Sequence, residues 1–483
     1  MTAALTGPIL PPLTVCERAR KYRDKAFEGR FVFGVRTTGV YCRPGCPSRT
    51  AHSAQVLYFS CAAAAQDAGL RPCLRCEPER MPVVSEWVVG HAALARALRL
   101  LEAGYLNHHT EHELAAQVSL PIGELRQQFA QRLGTCPETV ARLGRAWIAR
   151  QLLRTTDLPM RAVALHAGYA TVRQCHAQLR AIFRCAPREL RGRKRGRPDA
   201  LVFMLPVPPP YDFDWVFSYL QQRALIGVEE VDGGPGQWRY RRRTDVGAGL
   251  ATDDAAWVVV TQKDDALEVR LPFGETPLAQ QLYRVRRVFD LHADGAQLQA
   301  FFLEDTQLGP IAKRAPGLRV PGTWNVFEAC VRAILGQQVS VSRGTLLANR
   351  MVEYYGAGGF PVPAQLMNVP IAELGMPGVR GEAISTLARQ VFNGGVCLDD
   401  TQNYAGIAEQ LLAIKGIGPW TVNYIRMRAL KDPDAFPHND WVVLKELACT
   451  AAEAQQRAER WYPWRAYALM HLWYSAGLKK RGQ

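Results

Sequence analysis

Four folded regions in series are predicted: a small α+β region over residues 15–80, an all-α region over 83–190, an α+β region over 201–315 and a second all-α region over 316–483, with a basic linker at 191–200. Three observations lead there. The chain has 483 residues, which at ~150 residues per domain is about three domains. Six of its 12 cysteines fall between Cys16 and Cys76. Helical periodicity dominates 83–190 and returns beyond 320, while the stretch between them mixes helix and strand patterns.

Composition sets further bounds. Lys plus Arg is 59 against 44 for Asp plus Glu, a formal net charge of +15. Such a surplus points to a polyanion partner, most commonly nucleic acid, with a basic surface kept for solubility as the alternative. Hydrophobic residues at 48% and charged residues at 21% suit packed cores, not disorder. No stretch approaches ~18 uninterrupted apolar residues, so no membrane span or membrane partner is expected. Met1-Thr2-Ala3-Ala4-Leu5 lacks the charged and apolar regions of a secretion signal. The expectation is a cytoplasmic, nucleoid-associated protein whose clustered cysteines are reduced and serve as metal ligands or nucleophiles.

Along the chain, residues 1 to about 14 read as a frayed arm. Aromatic and β-branched residues from Phe31 to Tyr41 predict a small sheet, and Ala62 to Ala68 a short helix. Arg191-Gly192-Arg193-Lys194-Arg195-Gly196-Arg197-Pro198 repels itself and contains helix breakers, so it is a linker that could lie along phosphates. Asp214 to Arg223 is a helix candidate. Trp257–Thr261 and Leu267–Leu271 read as strands turning at Lys263-Asp264-Asp265.

Cys42-Arg43-Pro44-Gly45-Cys46 and Cys73-Leu74-Arg75-Cys76 are two close cysteine pairs with 26 residues between them. Four thiolates from two tight turns make the tetrahedral sulfur shell that Zn²⁺ prefers. Spacing alone leaves open a structural zinc knuckle, metal-free cysteines and a reactive zinc thiolate. Phe31 to Cys46 and Gly69 to Cys76 closely resemble the N-terminal zinc domain of the Ada family. That resemblance implies zinc bound by Cys42, Cys46, Cys73 and Cys76. It also implies that Cys42 takes a methyl group irreversibly from a DNA methylphosphotriester, with Thr38, Arg49 and Arg71 at phosphate-contacting positions. The physics fits: a zinc ion with four thiolates is net negative, and losing one negative charge to methylation lessens repulsion from DNA phosphates.

Leu114 to Pro121 followed by Ile122 to Arg132 reads as helix, turn, helix, and the pattern recurs at Ala162 to Tyr169 followed by Thr171 to Phe183. Two such units about 50 residues apart, closing on Cys185-Ala186-Pro187-Arg188-Glu189-Leu190, resemble the AraC family of transcription regulators. The resemblance implies that Arg126 and Gln127, or Arg173, Gln174 and His176, face bases in the major groove. Ser119 stands where a turn glycine is usual, and Cys185 where glycine is common. An ordinary helical bundle and a tether that holds DNA without reading it are the alternatives.

Leu412 to Thr421 has the form of a helix-hairpin-helix, in which Gly416 and Gly418 let the backbone approach a phosphate and the next helix's first N–H groups bind it. Phe436-Pro437-His438-Asn439-Asp440-Trp441 follows. The pairing resembles the helix-hairpin-helix glycosylases of the endonuclease III superfamily, and within it the AlkA family of 3-methyladenine DNA glycosylases. Leu205-Pro206, Pro209 to Asp212, Ile334 to Ser340 and Trp464 to Ala468 carry that resemblance as well. It implies that Asp440 is the catalytic aspartate and that Tyr219, Trp420, Tyr424 and Trp473 line the pocket for a flipped base. A bifunctional relative carries its nucleophilic lysine where Trp420 stands. Lys415 lies on the hairpin, so the resemblance implies a monofunctional enzyme. Asn439 replaces a second acid of the AlkA family. The bland readings are an N-cap for Asp440 and core packing for each tryptophan.

The chain thus resembles a fusion of an Ada-type sensor, an AraC-type DNA-binding unit and an AlkA-type glycosylase. It has no Pro-Cys-His-Arg motif of an O6-alkylguanine methyltransferase. The implied partners are double-stranded, alkylated and promoter DNA, with RNA polymerase, and the expected state is a monomer. The competing expectation is a methylation-switched activator with little glycosylase activity.

Overall fold

The computed structural model describes residues 10–80, 92–192, 200–244, 257–272, 276–398 and 404–481. Most of the expected N-terminal arm and residues 193–199 of the basic linker lie outside them. No helix among the described residues is long and apolar enough to cross a membrane. Two compact units are present. The first comprises Met1–Pro209, Asp265–Tyr283 and Leu291–Ala296, the second Pro210–Asp264, Arg284–Asp290 and Gln297–Gln483.

The first unit opens with α1 (Leu13–Tyr22), which begins inside the expected arm. The sheet follows: β1 (Val32–Val35), β2 (Val40–Cys42), β3 (Val56–Phe59) and β4 (Arg71–Pro72), ordered β3-β1-β2-β4. β1 pairs antiparallel with β2 and β3, and β2 runs parallel to β4. The β1–β2 turn closes because the N–H groups of Thr38 and Gly39 both donate to the Val35 carbonyl, at 3.2 and 2.9 Å, with Gly39 at φ 65°. Cys42 ends β2 and Cys73 follows β4, its N–H donating to the Tyr41 carbonyl at 2.9 Å. Parallel pairing therefore delivers both cysteine pairs to one end of the sheet. The alanine-rich run forms α2 (Ala62–Asp67), as its helix propensity predicts.

Helices α3 (Ala92–Glu102), α4 (Glu111–Gln117), α5 (Ile122–Leu133), α6 (Pro137–Thr155), α7 (Met160–His166) and α8 (Val172–Phe183) build the helical region. Thr110 and Glu113 cap α4 reciprocally, and the Thr171 hydroxyl caps α8. α6 is the core element, buried on almost every face, from Val140 and Leu143 to Trp147, Ile148, Leu152 and Leu153. Each of the aliphatic side chains among them contributes roughly 1.5–3 kcal/mol. Ser119 adopts φ 59° in the first turn and Gly168 φ 83° in the second. The missing glycine therefore leaves the turn geometry in place, held left-handed by a serine at some cost in strain. β5 (Leu201–Pro206) pairs antiparallel with Ala266–Leu271 in the same unit.

In the second unit the predicted helix at 214–223 spans Phe213–Gln221, N-capped by Asp212. β6 (Glu229–Asp232), β7 (Arg239–Arg243) and β8 (Trp257–Lys263) form an antiparallel run. β8 leads through Asp264, at φ 48°, into Ala266–Leu271, which matches the predicted strand–turn–strand. The sequence reading missed β6 and β7. Arg-Tyr-Arg-Arg-Arg does not look like a strand, but Tyr240 and Arg242 alternate inward, and Arg242 forks onto Glu328. The helices between Val326 and Arg428 pack around a core that includes Val331, Ile334, Leu335, Leu347, Ile384, Leu387, Leu411 and Ile425.

Candidate functional site: a thiol cluster and an aromatic cavity

In the first unit Cys42, Cys46, Cys73 and Cys76 are all buried, and their sulfurs lie within 4.8 Å of one another. A tetrahedral Zn–S shell, with bonds of ~2.3 Å, needs sulfurs about 3.8 Å apart, so the donor set fits zinc. Tight turns hold each pair: the Cys46 N–H donates to the Arg43 carbonyl at 3.1 Å and the Glu77 N–H to the Cys73 carbonyl at 3.0 Å. Phe33, Val35, Val40, Val56 and Tyr58 pack around the sulfurs. Arg43 pairs with Glu28, whose carboxyl burial pushes upward while Arg43 opposes the shift. Thr38 is exposed at the tip of the β1–β2 turn and Arg49 is exposed after Cys46. Arg71 is half-buried in β4 opposite Val40. The predicted base-facing side chains Arg126, Gln127, Arg173 and Gln174 are exposed on α5 and α8, and His176 is half-buried. Arg126 is held by Glu111.

In the second unit a cavity of about 810 Å³ is lined by Tyr219, Trp420, Tyr424, Asp440 and Trp473, among others. Trp420 and Tyr424 stack with centroids 5.3 Å apart and planes 14° apart, and Trp473 lies 6.4 Å beyond Tyr424. Asp440 is 8% exposed. Its Oδ1 accepts from the N–H groups of Val442 and Val443, at 3.0 and 3.2 Å, which makes it the N-cap of helix Trp441–Leu447. Both pocket tryptophans also donate to it: Trp420 Nε1 to Oδ2 at 2.9 Å and Trp473 Nε1 to Oδ1 at 3.2 Å. Asp440 therefore caps a helix, as one of its two readings expected, and lines the cavity at the same time, fixed by four donors. Asn439 is exposed and is not among the lining residues.

Three cavity arginines, Arg223, Arg332 and Arg428, escaped the sequence reading, and two of them meet the pocket tyrosines. Arg223 Cζ lies 3.6 Å from the Tyr219 ring centroid, and Arg428 Cζ 4.7 Å from the same centroid. Arg428 Nη1 also donates to the Tyr424 hydroxyl at 3.0 Å. Burial pushes the Tyr219 phenol up to about 12. Burial works the same way on Tyr424, but the charges of Arg428 and Arg223, with hydrogen bonds from Tyr219 and Arg428, outweigh it and bring that phenol below its ordinary value. A signal was available: Trp420, Tyr424 and Arg428 are spaced four apart on one helix face, as are Tyr219 and Arg223.

The hairpin lies between Tyr404–Leu412 and Pro419–Arg428. Ile414 and Ile417 anchor it in the core. Gly416 sits at φ 95°, and a Cβ there would meet Val379 and Ala383 at 3.2 Å. Gly418 N-caps Pro419–Arg428, and nothing lies within 4 Å of where its Cβ would stand. Gln337 Nε2 braces the hairpin through the Gly416 carbonyl and the Thr421 hydroxyl, both at 2.9 Å. No sequence signal marked Gln337 for this. Lys415 is exposed on the hairpin.

Family models match in three places: the metal-binding domain of Ada over residues 15–79, a helix-turn-helix domain over 114–193 and the AlkA N-terminal domain over 202–325. A Mycobacterium tuberculosis protein named "Probable bifunctional transcriptional activator/DNA repair enzyme AlkA" is 35% identical over 483 residues, covering 95% of each chain. The chain belongs to the family of that bifunctional AlkA protein. Within the family's span, DNA-3-methyladenine glycosylase 2 of Escherichia coli is 33% identical over 285 residues, which is 56% of this chain and 95% of that one. The Escherichia coli "Bifunctional transcriptional activator/DNA repair enzyme Ada" is 37% identical over 130 residues, 27% of this chain and 34% of that one. The chain is thus a fusion of an Ada-type zinc domain, a helix-turn-helix domain and an AlkA-type glycosylase, and the buried four-cysteine cluster is its Zn²⁺ site.

Proposed function

We propose that this AlkA-family chain is a DNA alkylation repair protein with two activities. It excises alkylated purines such as 3-methyladenine and 7-methylguanine by hydrolysing the N-glycosidic bond. It also accepts methyl groups from DNA methylphosphotriesters onto Cys42, and activates transcription of the repair response. The observation that carries the first activity is the Asp440 carboxylate, fixed by two indole N–H groups and two backbone N–H groups at the wall of an aromatic cavity.

A cationic alkylated purine is already a good leaving group. Flipping it from the stack costs a few kcal/mol, less for a damaged base. The faces of Trp420, Tyr424 and Trp473 then favour it by cation–π attraction of ~0.5–2 kcal/mol. As the C–N bond breaks, the electron pair leaves with the base and positive charge develops on the sugar. Asp440 stabilises that charge or steers the water that replaces the base. Gly418 leaves room for a phosphate at the first N–H groups of Pro419–Arg428. With Trp420 on the helix and Lys415 on the hairpin, the enzyme is monofunctional.

In the second activity zinc, when bound, keeps the thiols deprotonated at neutral pH. The Cys42 sulfur attacks the methyl carbon: an S–C bond forms, the C–O bond breaks, and its electron pair stays on the phosphate as a phosphodiester anion. Thr38, Arg49 and Arg71 hold the phosphate. Helices α5 and α8 contact promoter DNA, RNA polymerase is the further partner, and the protein acts as a monomer.

The test is incubation of purified protein with alkylated duplex DNA. Free 3-methyladenine should appear with the strands left uncut. Strand cleavage at the abasic site would contradict the monofunctional reading, and absence of free base would contradict the enzyme itself.

A further inference from the structure

The turn that carries Cys73 and Cys76 meets the helical region at a buried arginine. Arg150, in the middle of α6, is 2% exposed. Its Nη2 donates to the Leu74 carbonyl at 2.8 Å, inside that turn. The same guanidinium pairs with Glu79, and with Glu77 at 3.3 Å. Glu77 follows Cys76 directly and is held at φ 50°. Gln151 Nε2 donates to Glu77 at 3.1 Å and Arg154 pairs with it. On its other side Arg150 Cζ lies 5.3 Å from the ring centroid of Phe183, the last residue of α8. The next residue, Arg184, donates to the Gly69 carbonyl just ahead of β4. The zinc turn, the core helix and the C-terminal end of α8 therefore meet at one buried cation.

We propose that Arg150 is a positioning residue that couples the state of the Cys42–Cys46–Cys73–Cys76 cluster to α8, so that methylation of Cys42 is read out as tighter DNA binding through this junction. The inference rests on the methyl-acceptor reading of Cys42. A thioether is a weaker donor than a thiolate, so methylation relaxes the cluster and removes one negative charge from it. The Leu74 peptide belongs to the turn that must adjust. Arg150 is already shared among Leu74, Glu77 and Glu79, and it passes the adjustment to Phe183 because a packed interior moves as a unit. Reduced repulsion of DNA phosphates by the cluster would occur without Arg150. What Arg150 adds is a change at a surface remote from the sulfurs.

The test uses the full chain loaded with zinc and two variants. Arg150→Lys keeps a charge against Glu79 but loses the fork. Arg150→Met combined with Glu79→Gln removes the buried pair together and leaves no buried charge alone. Zinc content, methyl on Cys42 by peptide mass, and Kd for a DNA duplex before and after methylation are measured. Wild type should gain about tenfold in affinity on methylation, and both variants, still holding zinc and still methylated on Cys42, should keep only the smaller part that reduced phosphate repulsion supplies, about threefold or less. A zinc-bound, methylated variant with the full wild-type gain would overturn the coupling. Wild type that takes no methyl on Cys42 would overturn the underlying reading instead, so the two failures are distinguishable. Arg150→Lys carries the test where the double variant loses zinc.

Discussion

In the zinc cluster four identical donors come from two short turns at one end of one small sheet. The aromatic cavity draws Tyr219, Trp420, Tyr424, Asp440 and Trp473 from four helices scattered between residues 213 and 481. The first is a local construction that needs its metal to neutralise four thiolates. The second is assembled by a hydrophobic core and needs nothing but folding. Chemistry in the cluster resides in sulfur made nucleophilic by its neighbours. On the proposed function, chemistry in the cavity resides in one carboxylate made rigid by its neighbours. The two sites should therefore fail independently, and for different reasons.

The largest separation comes from the carboxylate. Asp440→Asn should lower the rate of 3-methyladenine release by ~10²–10³ while leaving methyl uptake by Cys42 unchanged. Single-turnover excision beside a methyl-transfer assay checks both halves. Near-normal excision would remove Asp440 from the chemistry.

Acid is the next lever, and its sign can be worked out. Burial lowers the His471 pKa from 6.5 to about 4 in the folded second unit. Above pH 6.5 both states are neutral there and nothing changes. Between 6.5 and 4 the unfolded chain takes the proton and the folded chain does not, so stability falls as pH drops, by roughly 3 kcal/mol at the lower limit. Denaturant unfolding at pH 7, 5.5 and 4 should show this slope, and His471→Gln should flatten it. An unchanged slope in the variant would move the acid sensitivity elsewhere. The zinc cluster loses metal in acid by a separate route, protonation of its thiolates.

The two hairpin glycines, read alike from the sequence, should part company. Gly416→Ala meets both a left-handed backbone and a crowded Cβ site, and should cost roughly 1–2 kcal/mol of stability. Gly418→Ala meets open space, so it should leave stability alone and weaken binding to DNA carrying an abasic-site analogue. Equal behaviour of the two variants in both assays would refute the division of labour.

The smallest effect is expected at Trp420. Phenylalanine there keeps the stack on Tyr424 but loses the hydrogen bond to Asp440 Oδ2. Trp420→Phe should slow excision by about tenfold or less, with little change in KM. A rise in KM with an unchanged maximal rate would show that the indole N–H does not act through Asp440.

What was legible in the sequence follows the same divide. Cysteine spacing and the Gly416–Gly418 hairpin are local patterns, so their residues could be named directly. The resemblance to known families supplied the pocket residues, and the structure gathers them in one cavity. The buried polar partners were harder to see, because their partners lie far away in the chain. Arg242 reads as one more cation in a run that does not look like a strand, until Glu328, 86 positions later, meets it. Arg150 reads as one more helix cation until Leu74, 76 positions earlier, accepts from it. Gln337 braces the hairpin across 79 positions. Ser119 marks the opposite case: a local rule was broken, yet the turn formed, closed by the Ser119 N–H on the Ala116 carbonyl and the Leu120 N–H on the Ala115 carbonyl, both at 3.0 Å.

The central claim is that four chemically identical thiols are functionally unequal. The most direct test is peptide mass mapping after incubation of the zinc-loaded protein with methylphosphotriester DNA. One methyl group on Cys42, none on Cys46, Cys73 or Cys76, and zinc retained is the predicted result. Methyl on any of the other three, or on no cysteine, would contradict it.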